Sequence, residues 1–173
     1  ITDVETLNIV SSHTGTTAAS ALTATDDNTL GDISADTKLT TLNISGSDQA
    51  SISVGSEATK LATVNTTGMS NDLSLTLAAA VDQTVTGGSA KETVAMGTTL
   101  NNADTVDLAG GTDVLSATVT GLTATTGALT VANVETLNLT NGGTAVIDAT
   151  AITGASEIAI LTNTTKATIT GLA

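Results

Sequence analysis

Phenylalanine, tyrosine, tryptophan, cysteine, proline and arginine are all missing from this 173-residue chain. Without aromatics the core cannot be the large-ring packing of most compact domains, and there is no aromatic platform on which a sugar or a nucleobase could stack. Without cysteine there is neither a disulfide framework nor a thiolate metal site. His13 is the single imidazole, so no histidine metal triad can form, and it is expected in an exposed loop, SSHTGTT. Four lysines face seventeen acids, a net charge of −13. Such a surface repels phosphate backbones and anionic lipids, which excludes nucleic-acid and membrane-surface partners. No apolar run approaches the length of a membrane span, so membrane insertion is not expected either. Ile1 reads as the interior of a strand and Ala173 ends without a polar tail, so residues 1–173 are expected to be one elongated segment of a longer chain.

What is present is small and β-forming. Hydrophobic residues make up 40% of the chain, nearly all of them Ala, Val, Leu and Ile. That content, with clear alternation, argues against disorder. The hexad VETLNI (Val4 to Ile9) returns as VETLNL (Val134 to Leu139) and, more loosely, as TTLNIS (Thr40 to Ser45), so the chain repeats itself. Short alternating segments with the period of a half-buried strand follow roughly every ten residues. They are ASISVG from Ala50, LSLTLA from Leu73, TVDLAG from Thr105, LSATVTG from Leu115, GALTVA from Gly127, SEIAIL from Ser156 and ATITGL from Ala167. Gly, Asn, Asp and Ser punctuate them as turns.

Two all-β architectures compete: a sandwich of antiparallel hairpins, and a parallel β-solenoid whose coils stack on one another. One Asn-Gly turn, Asn141-Gly142, is the sole hairpin signal. Stacked coils can set Leu over Leu and Thr over Thr with no aromatic filler, so the expected fold class is an all-β, right-handed parallel β-solenoid. Helix is expected to be scarce: Asp26 to Asp36 has room for a single turn, and LAAAVDQ (Leu77 to Gln83) has helical propensity that does not persist.

Chemistry concentrates between Val81 and Leu115, where the glycine pairs Gly87-Gly88 and Gly110-Gly111 bracket Glu92, Asp104, Asp107 and Asp113. Glycines let the backbone curl, and carbonyl and carboxylate oxygens then converge as a hard cation such as Ca²⁺ needs. GGSAKETVA and LAGGTDVLS resemble the calcium-binding nonapeptide of repeats-in-toxin proteins, G-G-x-G-x-D-x-U-x. Ala90 and Glu92 depart from it in the first copy, and Leu108 and Ala109 in the second. The wider order, a GGS turn, a strand, NNADTVD, AGGTDVL and NVETLNL, resembles calcium-dependent bacterial surface-layer proteins of the Caulobacter type. Similar units also occur in large β-strand-repeat proteins of Gram-negative bacteria.

That resemblance implies calcium-binding turns, type I secretion, and a structural role in an extracellular lattice on the bacterial cell surface. Its partners would be copies of the chain itself, with lipopolysaccharide held by a domain outside this segment. It further implies one site with Asp113 as shared carboxylate, the Gly111 carbonyl, and Asp104 and Asp107 from the adjacent turn. A second, weaker site would use Glu92 with the carbonyls of Gly87 and Ser89. The alternative reading is the repeat stalk of a large secreted adhesin.

Three further patterns lie outside that resemblance. DDNTLGD (Asp26 to Asp32) resembles an EF-hand loop superficially but lacks its alternating acids and closing Glu, and is expected to be a solvated loop. Acids are numerous enough for a glycosidase pair, but with no aromatics and no Arg an enzyme is not expected. Thr-x-Thr occurs at Thr23/Thr25, Thr84/Thr86, Thr118/Thr120, Thr123/Thr125 and Thr168/Thr170. Ice-binding faces use ranks of such pairs, but these share no repeat length, so no such face is expected.

Overall fold

A computed structural model describes residues 3–12, 28–33, 37–79, 81–119, 129–161 and 167–171. His13, Asp26 and Asp27 lie outside them, as do Thr23, Thr25, Thr120, Thr123 and Thr125. Among the described residues the structure is β throughout, with one 3₁₀ turn at Ala149–Ala151.

Two seven-stranded sheets take strands alternately from the chain. The first holds β1 (Thr6–Ser11), β3 (Thr41–Gly46), β5 (Thr63–Met69), β7 (Thr84–Thr86), β9 (Thr105–Asp107), β11 (Thr130–Ala132) and β14 (Ile152–Thr153). The second holds β2 (Asn28–Asp32), β4 (Ala50–Val54), β6 (Leu73–Leu77), β8 (Glu92–Ala95), β10 (Val114–Val119), β12 (Thr136–Asn141) and β15 (Glu157–Leu161). A short third sheet pairs β13 (Ala145–Asp148) with β16 (Ala167–Thr170). Every pairing is parallel and joins a strand to its counterpart one coil later. Parallel neighbours need a crossover rather than a hairpin, so the chain winds as a β-solenoid and the sandwich is excluded.

Alternation along each strand becomes a column across the coils. Leu7, Leu42, Val64, Val85, Val106, Val131 and Ile152 stack inside the first sheet. In the second sheet Ile52 sits beside Leu75, Leu75 beside Val94, Val94 beside Leu115, and Leu115 beside Leu137. Most of these side chains are fully buried, each contributing about 1.5–3 kcal/mol. Small β-branched and Leu side chains fill so narrow a lumen without rings. At the ends the cover thins: Leu7, Ile9, Ile158 and Ile160 are only partly buried, and Val10, Leu30 and Leu161 are exposed.

Outward columns are polar. Thr6, Thr41, Thr63, Thr84, Thr105 and Thr130 lie side by side at the head of six strands. These are single threonines and not ranks of Thr-x-Thr pairs: Thr86, two residues after Thr84, stands between Asn65 and Asp107. Asn8 and Asn43 form a rung of an asparagine ladder, Asn43 Nδ2 donating to Asn8 Oδ1 at 2.8 Å. Residues 28–32 correct another expectation, because the end of DDNTLGD is a fully exposed edge strand, β2, paired to β4, and not a solvated loop.

Candidate functional site

Each coil turns a corner before entering a sheet, and the residue just ahead of the strand faces inward. At the corner entering the first sheet those residues are Gln83 and Asp104, one coil apart, both buried. Asp104 Oδ1 accepts from the Gln83 backbone N–H at 2.6 Å, and Oδ2 accepts from the Asn101 N–H at 2.7 Å. Gln83 Nε2 donates to the Leu61 carbonyl at 3.1 Å, which leaves Oε1 without a donor. Burial pushes the Asp104 carboxyl above its usual range; the two amide donors pull the other way and nearby Asp82 pushes up again. Asp104, with both oxygens on amides, thus ties two coils together at this corner.

At the corner entering the second sheet the inward column runs Ala50, Leu73 and then Glu92. One coil further on, Asp113 occupies the same place ahead of β10. Both acids have no exposed surface. Glu92 Oε1 accepts from the Thr66 hydroxyl on β5 and from the Gly88 N–H, both at 3.2 Å. Asp113 Oδ1 accepts from the Glu92 N–H at 2.7 Å, and the Asp113 N–H donates to Glu135 Oε2 at 2.7 Å. From Glu92 onward the corner is therefore a directional ladder, Asp113 and then Glu135 each taking the amide proton of the acid one coil before.

This second corner is incomplete. Glu92 Oε2 and Asp113 Oδ2 are buried with no donor, while the two side chains lie within hydrogen-bonding reach of each other. Burial pushes the Glu92 carboxyl up to about 7; Gly88 lowers it and the Asp113 charge raises it. Asp113 is raised as well, by burial first, with the Glu92 amide opposing and Glu135 adding to the rise. Gly111 stands beside the pair with φ +152°, where a Cβ would lie 2.3 Å from the Ala90 carbonyl oxygen and 2.9 Å from Asp113 Oδ1. No other residue fits there without displacing the carboxylate.

The seven residues singled out by sequence separate accordingly. Glu92, Asp113 and Gly111 come together, although sequence placed Glu92 in a different site. Asp104 lies at the other corner with both oxygens occupied. Asp107 is on the outward side of β9, where Oδ1 accepts from the Ala109 N–H and from Asn133 Nδ2. Gly87 is buried against the backbone of Leu108, its N–H on the Asp107 carbonyl, and Ser89 is exposed. The grouping of Asp104 and Asp107 with Asp113 is thus not formed, and among the described residues no three acidic or imidazole side chains converge. The carboxylate oxygens left at Glu92 and Asp113 are of the hard kind calcium takes, but two are far fewer than the six to eight it needs.

Sequence reasoning passed over Gln83, Thr66 and Glu135. Glu135 was findable, since acids recur one coil apart at Glu92, Asp113 and Glu135. Two surface clefts, of about 210 Å³ beside Asp72 and Lys91 and about 300 Å³ between β1 and β2, do not gather the clustered acids and bases of a glycosidase groove. No protein-family model, curated protein or solved structure matches this chain.

Proposed function

We propose that this chain is a structural segment of an extracellular bacterial surface-layer lattice, exported by a type I route, stabilised by calcium and partnered by copies of itself. The observation that carries the reading is the uninterrupted parallel stack of small-residue coils, which makes an extended wall rather than a pocket. Stability in such a stack comes from neighbour on neighbour. Calcium adds to it by binding the folded form, so a chain kept unfolded where calcium is scarce orders itself outside the cell. Right-handed winding follows from the usual hand of parallel crossovers. Anchoring, through lipopolysaccharide, belongs to sequence beyond this segment. The reading contains no catalytic step.

Electron microscopy of the complete polypeptide in millimolar calcium tests this. Ordered two-dimensional arrays that dissolve in EGTA are the expected result. Single rods that never associate at high concentration would replace the lattice with the stalk of an adhesin, which needs the same solenoid as a spacer.

A further inference from the structure

We propose that the outward face of the second sheet, from β4 to β12, is the surface through which this chain meets a second copy of itself, sheet face on sheet face. This rests on the self-association in the reading above and names the surface that carries it.

The net charge is −13, yet across these strands the outward positions are Ser, Thr, Ala, Val and Asn, without one charge. The acids near this sheet are placed elsewhere: Glu92 on β8 is buried, and Asp72, just ahead of β6, lies 3.9 Å from Lys91. That distribution selects the partner. Two identical faces meeting about a two-fold axis set the patch against itself, so a carboxylate on it would be brought toward its own kind. Hydroxyls both donate and accept, and a face of Ser and Thr can therefore pair with its own copy, as acceptor-only carboxylates cannot. Beside the patch, Leu161 on β15 continues the outward column of Thr118 and Thr140 and is 51% exposed, an apolar side chain left half uncovered.

The first sheet makes the contrast. Its outward face carries the charge of Asp107, held by Asn133 Nδ2 at 2.7 Å, and Asn43 already spends its amide on Asn8. Its exposed apolar residue, Val10, stands on the outermost strand, β1. Size sets the strength of the contact. Five strands about 4.8 Å apart, each about five residues of about 3.3 Å, give roughly 400 Å² per copy. Two copies then bury about 800 Å², half of a standard interface. Such a contact is weak in dilute solution and closes where copies are crowded, as in a two-dimensional array.

Residues 1–173 contain no cysteine, so introduced cysteines report the contact. In the complete polypeptide, Ala95→Cys and Ser116→Cys, neighbours at the centre of the face, are compared with Thr84→Cys on the first sheet. Each is oxidised with copper phenanthroline over a concentration series, with dimers read on non-reducing gels and folding by circular dichroism. The second-sheet variants are expected to give a covalent dimer whose yield climbs with concentration, and Thr84→Cys is not. Adding Thr93→Glu should cut that yield about tenfold, because like charges across an interface are costly. Ser74→Glu, at an exposed position on the adjacent strand, serves should Thr93→Glu not fold. Equal yields from the two sheets, or a yield indifferent to the added glutamate, overturn this face; ordered arrays of the Thr93→Glu variant do so too, while leaving the lattice standing on another surface. A parent that sediments as a monomer at every concentration overturns both the face and the lattice.

Discussion

At one corner of the coil Asp104 spends both carboxylate oxygens on backbone amides; at the other, Glu92 and Asp113 each spend one and leave one bare. The parts are alike, buried acids at the start of a strand, with Asp104 and Asp113 each capping an amide of the coil before. What differs is the supply of donors. Asn101 sits three residues before Asp104 in a turn and offers its N–H to the second oxygen. At the second corner the residue stacked against Asp113 is another acid, so the second oxygen meets a carboxylate instead of an amide. A buried acid whose lone pairs are all taken serves the fold. One whose lone pair is left open, beside another like it, is under charge strain.

The largest effect that could break this comparison belongs to Asp104→Ala. It leaves the buried amide of Gln83 and the half-buried amide of Asn101 without acceptors, at about 1–3 kcal/mol for a buried one, so urea unfolding should show a loss of about 2–4 kcal/mol. Glu92→Gln in EGTA removes repulsion and keeps an acceptor for Gly88 and Thr66, so it should cost far less. Equal losses at the two corners would mean that the second is not under charge strain.

A smaller effect sharpens the same point through pH. Glu92 has a folded-state pKa of about 7 against 4.5 for the ordinary carboxyl, so between those values the folded chain holds more protons than the unfolded one. Stability from the neutral form is therefore fully present below about pH 4.5 and is lost as pH rises through about 7. Asp104 and Asp113, also raised, act in the same direction. In EGTA the melting temperature should fall across this window, and Glu92→Gln should flatten much of the slope.

How much of this was legible in the sequence depends on the range of the pattern. Period-2 alternation located β1, β3, β4, β6, β9, β10, β11, β12, β15 and β16, because one-sided burial writes itself locally. It passed over β5, where the ladder with β3 shifts register between Asn43 and Ser45, and β7, only three residues long. The repeated VETLN phrase marks repetition but not position: β1 carries it in the first sheet and β12 in the second. Relations between coils were the hidden part. Asp104, Asp107 and Asp113 look like neighbours in sequence, yet the winding sends them to one corner, to an outer face and to the opposite corner. Glu92 and Asp113, 21 residues apart, meet. Composition announced a stack of coils; only the coil length says which acids lie above one another, and that length varies.

The smallest effect is the most discriminating between local and stacked readings of the acids. Asp107 is three residues after Asp104, at the end of the strand that Asp104 precedes, and in a turn site the two would matter together. On the coil, Asp107 points outward, accepts from Ala109 and Asn133 at the surface, and shares no partner with Asp104. Its loss leaves those donors to water, which satisfies them at little cost. Asp107→Ala should therefore change stability by no more than about 0.5–1 kcal/mol. The double variant Asp104→Ala/Asp107→Ala should be additive, because side chains with no shared partner couple weakly. A coupling above about 1 kcal/mol between them would restore the single turn site that the spacing suggests and undo the division of the acids by corner.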